Sequence, residues 1–111
     1  MSNPSTAREI ILSLEDRFLP EKVDEELNVL FHFDISGSEG GQFSVHIVDD
    51  TCKVSEGLQG EPKCVITCTD KVYADVELGR TNAQMAFMMG KIKISNIMAM
   101  MKFIECFKRL H

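Results

Sequence analysis

The strongest constraint on the fold is a stretch in which apolar residues recur at every second position. This period of two runs over residues 29–35, stops at a glycine-containing segment (37–41), and resumes over residues 43–47. Such alternation is typical of strands with one buried face, and a short break between two such runs predicts a β-hairpin. We expect Ser36 to face Gln42 across the break, which aligns two further pairs: Phe33 with Val45, and His32 with His46.

Other segments predict three more strands and four helices. Strands are expected over residues 51–56, 63–69 and 91–94. Residues with capping chemistry precede four apolar segments of helical period: Thr6 with Glu9, Thr69 or Asp70, Thr81 or Asn82, and Asn96. These caps predict helices over residues 7–18, 70–78, 83–89 and 97–110, and the mostly acidic residues 21–26 predict a solvated short helix or turn.

The last predicted helix has a wider apolar surface than packing on a sheet requires. Its polar side chains, Lys102, Glu105 and Arg109, fall in one narrow wedge at about 100° per residue. A helix that lies on one side of a sheet needs an apolar stripe of only about 100°. The surplus must be covered by a second element, a ligand, a partner chain or a membrane.

Charge is unevenly distributed along the chain. Residues 1–80 carry seven Lys/Arg against sixteen Asp/Glu, whereas residues 81–111 carry five against one, and the formal net charge is −5. Nucleic acid favours a basic protein face, so we expect no nucleic-acid partner. The basic C-terminal end favours transient contact with an anionic membrane surface.

Length and cysteine usage indicate one domain in a reducing compartment. The chain has 111 residues, which gives room for a single domain over residues 1–111 with a core over 3–110. The cysteines, Cys52, Cys64, Cys68 and Cys106, form no C-x-x-C pair, so we expect reduced and mostly buried thiols. We see no secretory signal, no apolar run of about 20 residues and no C-terminal Ser-Lys-Leu. These features predict a cytoplasmic location.

Several short motifs, in their order and spacing, resemble the sterol carrier protein type 2 family. They lie at Phe31–Gly37, Gly40–Phe43, Cys64–Asp70 and Gly90–Ser95, within a resemblance that covers residues 5–110. Phe43 departs from the pattern, because the family often has Trp there. The resemblance implies a two-layer α+β fold, in which a five-stranded mixed sheet is covered on one face by helices. It also implies an apolar tunnel between the layers that takes fatty acids, acyl-CoA, sterols or phospholipids.

A methionine cluster is the leading candidate for the ligand site. Six methionines flank one short predicted strand: Met85, Met88, Met89, Met98, Met100 and Met101. Methionine at helical spacing is common in ordinary cores, but its flexible thioether also suits a deformable lining for an apolar ligand. With the surplus apolar surface and the resemblance, we expect a site lined by Phe31, Phe33, Val45, Met85, Phe87, Met88, Met89, Met100, Met101, Phe103, Ile104 and Phe107.

Other reactive side chains favour structural roles. His32 and His46 lack a third ligand of the kind that zinc requires. Cys64 and Cys68 lie about 13 Å apart on one strand at about 3.3 Å per residue, too far for a disulfide. The acidic pair Asp49–Asp50 is typical of a turn between strands. We therefore expect no metal site, no cofactor and no catalytic residue.

The predicted function is to bind and shuttle a lipid in an internal apolar tunnel, without catalysis. The alternative is an accessory or dimerisation domain whose apolar C-terminal helix packs on a partner protein that the sequence does not identify. Lipid that copurifies with a monomer would favour the first function, whereas a dimer with nothing bound would favour the second.

Overall fold

The structure, a computed structural model, describes residues 4–23 and 27–108. The helices are α1 (Ala7–Leu12), α2 (Leu14–Arg17), a 3-10 helix (Pro20–Lys22), α3 (Asp70–Glu77), α4 (Ala83–Met88) and α5 (Ile97–Ile104). The strands are β1 (Asn28–Ser36), β2 (Gly41–Val48), β3 (Thr51–Glu56), β4 (Cys64–Thr69) and β5 (Ile92–Ile94). The predicted α+β class and the predicted strands are confirmed. None of the helices in the described ranges is long and apolar enough to cross a bilayer.

The five strands form one mixed sheet in the order β3-β2-β1-β4-β5. β1 and β4 are parallel, and the other neighbouring strands are antiparallel. One face of the sheet is fully buried: Phe33 on β1 lies between Phe43 on β2 and Ile66 on β4. Helical residues such as Ile10 and Phe103 share this core. The predicted two-layer arrangement, with helices on one face of the sheet, is confirmed.

The register of the first hairpin differs from the prediction by two residues. Gln42 lies opposite Asp34 rather than Ser36, so Phe33 pairs with Phe43, Phe31 with Val45, and His32 with Ser44. A Cβ atom at Gly40 would lie 2.3 Å from the Ile35 carbonyl oxygen, so glycine lets the strands close on a shorter loop. A shift of two residues keeps every side chain on its predicted face, and the apolar face is therefore unchanged.

The helix caps match the sequence prediction closely. The Thr6 hydroxyl accepts a hydrogen bond from the Glu9 N–H, and the Glu9 carboxylate accepts one from the Thr6 N–H, which completes the predicted capping box. Side chains of Thr69, Asn82 and Asn96 cap α3, α4 and α5. The first predicted helix, however, is interrupted at Ser13, whose hydroxyl donates to the Ile10 carbonyl at 2.6 Å.

The last helix is shorter than predicted. It ends at Ile104 instead of continuing to residue 110, which lies outside the described residues. The chain then runs beside the segment after α2: the Leu19 N–H donates to the Cys106 carbonyl (2.7 Å), and Phe107 bridges to Phe18. Hydrogen bonds to this segment take the place of further helical hydrogen bonds. The resulting path of the chain is favoured because Phe107 packs on Phe18 and Phe103.

Candidate functional site

Two clefts border α5. The first, here called the α3 cleft, has a volume of about 500 Å³ and is lined by Leu14, Arg17, Tyr73, Val76, Glu77, Gly79, Thr81, Asn82, Ala83, Met100, Phe103, Ile104, Phe107 and Lys108. The second, the β1 cleft, has a volume of about 520 Å³ and is lined by Lys22, Val23, Leu27, Asn28, Val29, Phe31, Ile47, Lys63, Ala99, Lys102, Phe103, Glu105 and Cys106. Both volumes fall within the range of about 300–1000 Å³ that is common for ligand pockets.

Phe103 borders both clefts. On the inner side of α5, Met100 lines the α3 cleft and Ala99 lines the β1 cleft. The Phe103 ring stacks on Phe31, with 4.2 Å between ring centroids, and lies 4.8 Å from the ring of Phe107. A change in the position of this one aromatic side chain would therefore alter both clefts together.

The charged residues at the clefts are mainly cationic. Of the residues that the structure describes, the α3 cleft has Arg17 and Lys108 with Glu77, and the β1 cleft has three lysines with one acid, Glu105. Arg17 is held in place, because its guanidinium donates to the carbonyl oxygens of Ile10 (3.1 Å) and Lys108 (2.9 Å). The clefts thus combine apolar walls with a positive edge, an arrangement suited to an amphipathic molecule with an acidic head group.

The structure divides the twelve residues expected at the ligand site into three groups. Five line one or both clefts: Phe31, Met100, Phe103, Ile104 and Phe107. Phe33 and Val45 are fully buried in the core and line neither cleft. The other five lie at the surface and line neither cleft: Met85, Phe87, Met88, Met89 and Met101. Contact between these twelve side chains and a ligand stays a prediction.

Several lining residues were not among the expected set. Leu14, Tyr73 and Val76 contribute to the α3 cleft, and Val23 and Leu27 contribute to the β1 cleft. Leu14 and Val76 belong to the apolar periodicity of the first and second predicted helices, which marks them as core-facing. That signal places them in the helical layer, but it does not indicate which helix lies next to α5.

The two histidines do not face each other. The His32 Nε2–H donates to the Gln59 carbonyl oxygen (2.7 Å), and the buried imidazole is covered by the loop that follows β3. His46 bonds instead to the Asn28 side-chain oxygen (2.7 Å). The predicted pairing of His32 with His46 is therefore wrong, because the hairpin register places Ser44 opposite His32. Among residues 4–23 and 27–108, no three His, Cys, Asp or Glu side chains are grouped to hold a metal ion.

The four cysteines are unpaired, and three of them are buried. Burial, reinforced by Glu15, raises the pKa of the Cys52 thiol to about 12. Burial, reinforced by Glu77 and then Asp70, raises the pKa of Cys68 to about 12 as well. Thiolate is the nucleophilic form, so these environments suppress reactivity rather than activate it.

This environment predicts slow alkylation of the folded protein. Relative to a thiol of pKa 9.0, a pKa of about 12 lowers the thiolate fraction of Cys52 and Cys68 at pH 8 roughly a thousandfold. We expect little iodoacetamide adduct at either residue in native buffer and four adducts in guanidinium, counted by peptide and intact mass. Rapid labelling of native Cys52 or Cys68, or a disulfide in the isolated protein, would contradict this prediction.

A third depression of about 670 Å³ lies along β3 and the loop that follows it. Its walls include polar side chains such as Ser44, His46, Thr51, Lys53 and Gln59. Ser44, His46 and Thr51 already bond to the Gly57 carbonyl, the Asn28 side chain and the Val48 carbonyl. None of the described lining residues of this depression belongs to α5. The two clefts are the candidates that adjoin the helix with surplus apolar surface.

Comparison with protein families decides the assignment. The profile described as the SCP-2 sterol transfer family matches residues 12–108 of this chain. The chain belongs to the SCP-2 sterol transfer family. The family resemblance predicted from the sequence motifs is therefore confirmed, and membership supports lipid binding or transfer in general terms. A search of curated proteins gave no significant match.

Solved structures share the fold. Sterol carrier protein 2 like 2 from Aedes aegypti has a TM-score of 0.68 and 20% identity, covering 88% of this chain and 92% of that one. A palmitated form of that protein has a TM-score of 0.62 and 21% identity, covering 92% and 96%. The sec-alkylsulfatase Pisa1 from Pseudomonas sp. has a TM-score of 0.77 at 9% identity; the match covers 94% of this chain but only 16% of the sulfatase.

The comparisons also bear on catalysis. An SCP-2 domain is typically a non-enzymatic lipid carrier, but the sulfatase contains a similar domain as a small part of an enzyme chain. At these identities the structural likeness extends to the fold alone, and the chemistry of the sulfatase does not transfer to this chain.

Proposed function

We propose that this protein binds one elongated lipid in the clefts beside α5 and carries it between membranes without chemical change. The observation that carries the proposal is the shared wall at Phe103, which separates the mainly apolar α3 cleft of about 500 Å³ from the mixed β1 cleft of about 520 Å³. An acyl chain or sterol could enter either space and extend past the ring as it rotates. The predicted internal tunnel would then form when ligand displaces Phe103.

The charges favour a ligand with an acidic group at one end. Arg17 and Lys108 would attract a carboxylate or phosphate at the α3 cleft, while the hydrocarbon lies against Tyr73, Val76 and Met100. The palmitated state of the Aedes aegypti neighbour supports a fatty acid as the first probe. Acyl-CoA, sterols and phospholipids remain candidates for the natural ligand.

The direct test is displacement of a fluorescent fatty acid from delipidated protein. We expect a dissociation constant on the order of micromolar or tighter, with competition by unlabelled palmitate. Mass spectrometry of protein purified from cells should identify bound lipid. If no acyl, sterol or phospholipid probe binds and no lipid copurifies, the proposal is wrong.

A matched pair of substitutions on α4 tests whether the ligand enters the α3 cleft. Ala83 is exposed and lines the α3 cleft, whereas its neighbour Gln84 is exposed and lines neither cleft. Ala83→Trp should fill the cleft and weaken palmitate binding by about tenfold, equivalent to about 1.4 kcal/mol, and Gln84→Trp should leave binding unchanged. Equal affinities for the two variants would mean that the ligand does not enter the α3 cleft.

A second candidate function is that of an accessory domain. It is favoured by the sulfatase, in which a domain of this fold forms part of a larger enzyme chain. In that role the protein would bind a partner polypeptide and hold no lipid when purified. Sedimentation and lipid analysis of one preparation separate the two functions, since the carrier predicts a lipid-bound monomer.

A further inference from the structure

The outer side of α5 exposes a continuous apolar stripe. Ile97, Met101 and Ile104 follow one another at helical spacing, and Met98 lies beside them. These four residues, here called the α5 stripe, have exposed fractions of 47%, 61%, 49% and 72% respectively. The inner side of the same helix is already packed through Ala99, Met100 and Phe103. The α5 stripe is thus additional to the surface that the fold needs.

The clefts beside this stripe supply a positive border. Among residues 4–23 and 27–108, the charged residues that line the clefts are five cations, Arg17, Lys22, Lys63, Lys102 and Lys108, and two acids, Glu77 and Glu105. The ion pairs within the described residues join Arg8 to Glu56, Lys71 to Asp75 and Arg80 to Asp75, so none involves the three lysines of the β1 cleft. A cationic border on a chain of net charge −5 is a local reversal of sign.

We propose that the α5 stripe docks on an anionic lipid membrane, with the cleft cations against the head groups. Apolar side chains on one side of a helix, bordered by lysine and arginine, form the arrangement that inserts shallowly into a membrane interface. Flexible methionine side chains adapt to irregular apolar surroundings such as acyl chains. The inference shares Ile104 and the border cations with the clefts, and it goes beyond the proposed function by assigning a membrane to the outer side of α5.

Charge disfavours a second copy of the chain as the occupant. In a two-fold symmetric dimer through this surface, the cationic border of one copy would face that of the other. Juxtaposed like charges oppose association. An anionic membrane is instead complementary to both the apolar stripe and its border.

The basic C-terminal end of the chain lies only partly on this surface. Lys93 lies opposite Thr67 on the face of the sheet away from the helices, because its neighbours Ile92 and Ile94 point toward the core. Arg109 lies outside the described residues. Lys53, which pairs with His46, also lies on the face away from the helices. Lys53 and Lys93 therefore provide a matched control for charge reversal.

The test is flotation of the whole protein with vesicles of phosphatidylcholine alone or with phosphatidylserine. We expect preferential binding to the phosphatidylserine vesicles, lost in 0.5 M salt because the border charges are screened. Met101→Asp should reduce binding by about tenfold, because an exposed carboxylate replaces an inserted apolar side chain. Leu58→Asp, in the loop on the opposite face of the sheet, should leave binding unchanged.

Reversing the charge of two border lysines is an independent test in the same vesicle-flotation experiment. Lys22→Glu with Lys102→Glu should also lower binding by about tenfold, whereas Lys53→Glu with Lys93→Glu should have little effect. Circular dichroism checks that the variants are folded, and Met98→Asp replaces Met101→Asp if that variant is not.

Three results would overturn the proposal. They are no preference for anionic vesicles, control variants that lose as much vesicle binding as the test variants, or a dimer in the absence of vesicles that Met101→Asp dissociates. Vesicle binding that persists when no acyl, sterol or phospholipid probe binds and no lipid copurifies would overturn the proposed function and leave this inference standing. Fatty-acid binding without any vesicle binding would do the reverse.

Discussion

Phe103→Ala is expected to lower the free energy of unfolding by about 3–5 kcal/mol, the range typical of a large aromatic side chain removed from a core. The Phe103 side chain is only 5% exposed and stacks on Phe31, with 4.2 Å between ring centroids. It also packs against Phe33 at 5.9 Å and Phe107 at 4.8 Å. Truncation would leave these three rings facing an enlarged space that joins the two clefts.

Urea unfolding followed by circular dichroism measures this loss. Phe87→Ala is the matched control, since Phe87 is an aromatic residue of the neighbouring α4 whose side chain is exposed. We expect the control to cost less than about 1 kcal/mol. A loss below about 1 kcal/mol for Phe103→Ala would mean that α5 does not pack on the sheet as described.

Gly40→Ala is expected to lower the free energy of unfolding by about 2–4 kcal/mol, because no space exists for its methyl group. A Cβ atom there would lie 2.3 Å from the Ile35 carbonyl oxygen and 2.9 Å from the Ser36 carbonyl oxygen. Both contacts are with backbone atoms, so a side-chain rotation cannot relieve them. The first hairpin would have to open at its turn.

Ser38→Ala, an exposed change in the same turn, is the control for Gly40→Ala. We expect it to alter the free energy of unfolding by less than about 0.5 kcal/mol. If both variants unfold at the same urea concentration, the hairpin register in the structure is incorrect and the predicted wider loop becomes the better description.

The hairpin shows why the fold was more predictable than its register. Period-two alternation assigns Phe31, Phe33 and Val45 to the buried face, and the structure confirms that face. Sliding one strand by two residues preserves the alternation, so the pattern does not distinguish the two registers. The choice depends on the steric room at Gly40 and on the Asp70 carboxylate, which accepts from the Glu39 N–H (3.0 Å).

The C-terminal helix likewise shows that a sequence pattern does not reveal features that depend on tertiary contacts. Asn96 marks the start of this helix in the sequence, because an N-cap side chain forms its hydrogen bond within the first turn of its own helix. Its end at Ile104 depends on pairing with residues about 90 positions earlier, including Phe18 and Leu19. Helical periodicity contains no information about that pairing, and apolar residues after Ile104 look like a continuation.

The candidate site was predictable in composition but not in orientation. Met100 and Met101 are consecutive and chemically identical, yet Met100 is 8% exposed at the α3 cleft and Met101 is 61% exposed on the outer side of α5. A wide apolar helix predicts that something covers its surplus surface. Which methionines face inward depends on how α5 lies on the sheet.

Methionine methyl NMR with a spin-labelled fatty acid tests most directly whether a lipid occupies the clefts beside α5. Delipidated protein with ¹³C-methyl methionine would be titrated with doxyl-stearate, which broadens nearby methyl signals, and then with excess palmitate. We expect saturable broadening at Met100 that palmitate reverses, with Met85 and Met88 on α4 much less affected. No saturable broadening at Met100, or broadening of Met85 and Met88 that palmitate reverses while Met100 stays sharp, would contradict lipid binding in these clefts.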